Sequence, residues 1–139
     1  MTHILALTAA LGLASTALAQ CGAGSPAAVV DGESGSYTAN VGSSEVYAGS
    51  NYFEAIQTAV DSISSGERVS VLASGSIGAA SISISSGKTF EGCGTIDVGF
   101  RTAHGGIEVL DASDVSIPYL TMTGTCLDLT SREPDELKD

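Results

Sequence analysis

Two stretches decide the fold: SISISSGKTFEGCGTIDV, residues 81–98, and GIEVLDASDVSIPYLTM, residues 106–122. Apolar residues alternate in both, as Ile82/Ile84, Ile96/Val98, Ile107/Val109, Val115/Ile117 and Leu120/Met122, and Val69/Val71 precedes them. Period two places each pair on one face of a strand. Gly or Ser lies between almost all the pairs, but no Asn-Gly or Asp-Gly hairpin turn joins successive ones, so a simple meander is not favoured. The offsets say more. Ile84 to Val109 and Phe90 to Val115 are each 25 residues, and Ile96 to Leu120 is 24. A recurring set of short strands at that distance is one turn of a parallel β-solenoid with three strands per turn. Inward aliphatics then stack coil on coil, and small residues sit where the chain bends. Pro118 suits such a bend, where no ladder amide is needed. An antiparallel sandwich is the alternative, and it gives no reason for a constant offset.

Upstream, Phe53, Ile56, Val60 and Ile63 recur at spacings of three, four and three, which predicts an amphipathic helix over 51–65. Asn51 is placed to cap it, Glu54 stands where a capping box needs an acid, and Gly66 is placed to end it. The polar face carries Glu54, Gln57, Thr58 and Asp61. No second helix follows, so the apolar stripe is expected to close the open end of the solenoid over Val69, Val71, Ile82 and Ile84. Burial of four such side chains contributes on the order of 6–12 kcal/mol before entropy.

Phe53-Glu54-Ala55-Ile56-Gln57-Thr58-Ala59-Val60-Asp61, then Gly66, Val69-Ser70-Val71, Gly75-Ser76-Ile77 and Ser86-Gly87-Lys88-Thr89-Phe90-Glu91-Gly92-Cys93-Gly94-Thr95-Ile96-Asp97 together resemble the opening segment of the pectate-lyase-like superfamily, in tone its secreted fungal members. The resemblance covers about residues 51–123. It implies an all-β fold, a single-stranded right-handed parallel β-helix of two to three coils with one N-terminal capping α-helix. Lyases, hydrolases, esterases and tail spikes share this opening, so it identifies the fold better than the reaction. It further implies a polyuronide lyase or glycoside hydrolase as the parent protein, with a pectin-like polysaccharide as substrate, and Ca²⁺ as cofactor of a full-length lyase; no cofactor is expected for this chain. A non-catalytic β-helix surface or carbohydrate-binding module is the alternative, weakened by the seven aromatic residues and the absence of Trp.

Hydrolases of such a fold need paired carboxylates, and matched positions on neighbouring coils lie about 4.8 Å apart. The local candidates are Asp97, Arg101, His104, Glu108, Asp111 and Asp114. No loop with alternating oxygen ligands surrounds Asp111 and Asp114, and an Asp-Ala-Ser-Asp bend reads more simply as a turn. Arg101 and His104 fall in a polar loop over 99–106. None of the six is assigned a catalytic role.

The charge balance excludes other classes. With 16 acidic and 5 basic residues in 139, a net charge of -11 disfavours nucleic acid and anionic membranes. It also makes polyanionic pectin a poor electrostatic ligand without bridging cations. Hydrophobic residues at 43% are too many for an acidic disordered chain. Residues 1–19 read as a signal peptide: an apolar stretch from Ile4 ends in Ala17-Leu18-Ala19, with the cut before Gln20. An N-terminal membrane anchor is the alternative. The chain is therefore expected to be secreted, extracellular, monomeric, and free of membrane after cleavage. Secretion permits disulfides. Of Cys21, Cys93 and Cys126, the expected pair is Cys21 with Cys93, with three buried free cysteines as the alternative; zinc is not expected, since there is no C-x-x-C and His104 is the one histidine of the mature chain. Residues 20–50, rich in Gly, Ser and Ala, read as an extended arm, and 51–125 as the helix and coils. Residues 126–139 read as an acidic, disordered tail, which suggests a truncated chain, or else a short protein whose charged tail screens the open end.

Overall fold

The computed structural model describes residues 20–124. The predicted signal peptide, the acidic tail and Cys126 lie outside the described residues. The described chain is mostly strand, with one helix and a mixed, open sheet.

Residues 20–50 differ from the expected extended arm. They form three strands, β1 (Ala28–Glu33), β2 (Ser36–Val41) and β3 (Ser44–Gly49), paired antiparallel in order. Two-residue turns join them at Ser34-Gly35 and Gly42-Ser43, and Gly35 and Gly42 have φ of +83° and +59°. Ser-Gly and Gly-Ser supply the positive φ that tight hairpins require, without the Asn or Asp usually sought in a sequence. Alternation is present too, in Ala28, Val30, Tyr37 and Ala39, all buried, but small residues and one Tyr carry it.

Helix α1 (Tyr52–Ser62) ends three residues before the predicted limit. Gly66, at φ +86°, belongs to the turn that follows, where the Glu67 amide donates to the Ser64 carbonyl. The Asn51 side chain accepts from the Glu54 amide at 3.2 Å. The other half of the expected capping box is relayed: the Asn51 amide donates to the Tyr47 hydroxyl, which donates to Glu54. The buried stripe is Tyr52, Ala55, Ile56, Ala59 and Val60, with Ile63 just beyond the helix. Ile56, Val60 and Ile63 are thus core as expected. Phe53 stands at the margin of the stripe and is half-buried, because Tyr52, one position earlier, takes the inward place.

Six further strands follow: β4 (Arg68–Val71), β5 (Gly75–Gly78), β6 (Ile82–Ser83), β7 (Thr89–Val98), β8 (Ile107–Glu108) and β9 (Ser116–Gly124). One seven-stranded sheet runs β3-β2-β1-β4-β7-β5, with β9 also on β7; β6 and β8 form a separate pair. Every pairing from β4 onward is parallel, and so is β1 with β4. Strand β7 carries β4 beside its first half and β5 beside its second. It turns the corner between them at Gly92-Cys93-Gly94, where a Cβ on Gly94 would lie 2.1 Å from the Ala73 carbonyl oxygen.

The offsets are less uniform than expected. Val69 faces Phe90 and Gly75 faces Ile96, 21 residues on; Ile82 faces Ile107 at 25; Ile96 faces Met122 at 26, not Leu120. The register of β7 against β9 shifts between Glu91 and Thr95, where the Gly corner adds residues to one strand only. Phe90, Ile56, Ile82, Ile96, Val30, Val60, Val69 and Val71 are the largest fully buried apolar side chains, so the core lies between α1 and the strands of the leading end.

Candidate functional site

The six candidate residues lie at the trailing end. Asp97 is exposed near the end of β7 and accepts a hydrogen bond from the Thr123 hydroxyl at 3.2 Å, across the β7–β9 register. Asp111 and Asp114 are exposed at φ of +50° and +57°, the left-handed conformation that Asp tolerates in bends. This agrees with a turn-forming role for both.

His104 and Glu108 do come together. His104 Nδ1 lies 2.5 Å from Glu108 Oε1, with the histidine ring 41% and the glutamate 18% exposed. With a proton on Nδ1, the ring donates to this carboxylate. The His104 hydrogen bond holds the Glu108 carboxyl below the usual carboxylate range against the opposing effect of desolvation, helped by the charge of His104, the Ser81 hydroxyl and Arg101. This is an oriented histidine at the surface, and its evident effect is to pin the 99–106 loop to β8.

A stronger polar cluster was hidden in the sequence. Glu91, on β7, is buried, and its carboxylate accepts from Arg68 Nη1 at 2.8 Å, Ser70 Oγ at 2.7 Å and the Gly22 amide at 3.0 Å. Arg68 Nη2 also donates to the Ala23 carbonyl. Burial pushes the Glu91 carboxyl up, but the bonds from Arg68, Ser70 and Gly22 and the Arg68 charge outweigh it and hold it below the ordinary value of 4.5. Beside it Cys21 and Cys93 form a disulfide spanning 72 residues. Together they fasten the segment before β1 onto β4 and β7. The spacing that finds this cluster is 21 residues, the β4–β7 offset that sets Ser70 opposite Glu91.

Among the described residues one group of three ligand types lies within 4.8 Å, namely Cys21, Glu91 and Cys93. Its sulfurs are bonded to each other and its carboxylate is occupied by Arg68, which suits a clasp and not a cation. Every buried side-chain nitrogen and oxygen among the described residues has a partner. Lys88, missed in the sequence, is one: its ammonium donates to the Val60 carbonyl in the last turn of α1, at the negative end of the helix dipole. The disulfide is compatible with an extracellular protein. Among the described residues no helix is long and apolar enough to cross a membrane. No family model, curated protein or solved structure matches the chain.

Proposed function

We propose that the chain from residue 51 onward is the helix-capped start of a right-handed parallel β-helix, belonging to a secreted protein that acts on plant or cell-wall polysaccharide. The observation that carries this reading is the pairing of β4 with β7 and β7 with β9, all parallel, while β6 pairs with β8 in a second parallel ladder. A chain that returns to a parallel neighbour after 21–28 residues, twice, supports a winding path. Parallel crossovers of this kind are right-handed almost without exception. The lid role of α1 is supported by Gln57, whose side-chain amide both donates to and accepts from the Ser83 backbone, completing the edge of β6. In this reading the chemistry, polyuronide lyase or glycoside hydrolase, belongs to further coils of a longer parent. The 139 residues are inactive alone.

The test compares this chain with a version extended in frame by further coils. Both are assayed on polygalacturonate for unsaturated uronide, with and without Ca²⁺, and for reducing-sugar release. The expected result is no turnover by the short chain and one of the two activities in the long one. Turnover by the short chain, or none by the long one, overturns the proposal. A non-catalytic carbohydrate-binding role is the second reading. It is favoured by the scatter of the acidic candidates: among the described residues Asp97 bonds Thr123 and Glu108 bonds His104 and Ser81, so no two of the carboxylates are paired with each other.

A further inference from the structure

The β1–β2 turn, the residues leading into α1 and the strand β5 enclose an open cleft of about 540 Å³. Its walls are Ser34, Ser50, Asn51 and Ser76, and its floor is Tyr37 and Tyr52. The floor is rigid. Both tyrosines are buried, their rings are 4.9 Å apart, and their hydroxyls donate inward to the carbonyls of Ser74 and Ala73. The walls are different, because all four side chains are exposed. Asn51 spends its side-chain oxygen on the Glu54 amide, which leaves its NH₂ as a donor toward the cleft. Ser76 accepts from the Gly78 amide and keeps its proton to donate.

No charged residue lines this cleft, in a chain of net charge -11. A carboxylate or phosphate entering it would find no cation to replace its water. The surrounding negative field opposes it as well. A cation would find no carboxylate. What the walls offer is a set of neutral groups, hydroxyls that donate and accept and an amide that donates, over two tyrosines that are themselves buried. The volume falls in the ~300–1,000 Å³ range of small-molecule sites. A neutral ligand with several hydroxyls matches these features.

We infer that this cleft binds a neutral sugar unit of a glycan and excludes uronates. The proposal does not depend on the chain being part of an enzyme. Failure here leaves the polysaccharide proposal above standing, because that one is judged by turnover in a longer chain.

The experiment is saturation-transfer NMR on the intact chain with three probes at equal concentration: free hexoses and pentoses, neutral oligosaccharides of the same units, and oligogalacturonate. The expected result is transfer to the neutral probes and none to oligogalacturonate. Signal from oligosaccharides but not free sugars identifies a chain end as the ligand; signal from both identifies the single unit. Ser34→Trp, in an exposed turn, fills the cleft from one side and should weaken binding at least tenfold with the melting temperature unchanged. Ser76→Leu fills it from the other and serves if the turn variant misfolds. Absence of transfer to every neutral probe, stronger transfer to oligogalacturonate, or binding indifferent to both fillings overturns the inference.

Discussion

The two ends of the molecule use the same alternating aliphatics and obtain opposite results. At the leading end Val30, Val69, Val71 and Phe90 are fully buried, because β1 continues the sheet beyond β4 and α1 lies across the rows. At the trailing end Val109, Leu120 and Met122 are 36–42% exposed, and Phe100 and Leu110 more so. Alternation orients side chains toward a face, but only a second layer removes them from water. The leading end also has the buried Glu91 cluster and the disulfide, while the trailing end has the surface pair His104–Glu108. Stability is therefore expected to be concentrated at one end.

The largest expected effect tests that asymmetry directly. Ile56→Asp buries an unpaired carboxylate between helix and strands and should cost more than about 4 kcal/mol, unfolding the chain cooperatively. Leu120→Asp, on exposed β9, should change stability by no more than about 0.5 kcal/mol. Thermal melts of the two decide it; a native-like melt for Ile56→Asp removes the lid role of α1. Next comes the corner. Gly94→Ala drives a methyl into the Ala73 carbonyl and should cost about 3 kcal/mol by urea titration, with loss of amide protection in β5 and β7 together.

Glu91→Gln should cost about 1–3 kcal/mol at neutral pH, since Arg68 loses its charged partner. The folded Glu91 carboxyl titrates below its ordinary value of 4.5, so the unfolded chain binds the proton first as pH falls. Its contribution is fully present above that value and disappears as pH drops through the folded one. Melting temperatures of wild type and variant should thus converge in acid and separate above pH 4.5. Convergence at high pH instead would refute the clasp. The smallest effect is Asn51→Ala, about 1 kcal/mol, from loss of the bond to the Glu54 amide. Hydrogen exchange should show it as fraying of the first turn of α1 alone.

Parts of this were legible beforehand because they are local. Helix α1, its Asn51 cap, Ile56 and Val60 follow from a period of 3.6 and one side chain's reach. Strands β4, β6, β8 and β9 and the second half of β7 follow from a period of two, whereas β5, with Ile77 as its one apolar residue, does not. The β1–β3 meander was missed because its core is Ala28, Val30, Tyr37 and Ala39, a weak apolar signal beside Gly-Ser turns. The Glu91 cluster was missed because its partners are 21 to 69 residues away and meet only through the parallel register. The six acidic and basic candidates were visible as residue types, but the one side-chain pair among them is His104 with Glu108.

The amino-acid order by itself determined the helix and most of the strands from residue 51 onward, and most of the face each presents, since those depend on spacing along a few turns of chain. Which strand lies beside which, how far the chain travels before it returns, and which apolar rows escape water were decided by the tertiary structure. These depend on contacts between residues far apart in sequence, and on a glycine corner whose need is set by a carbonyl 21 residues before it.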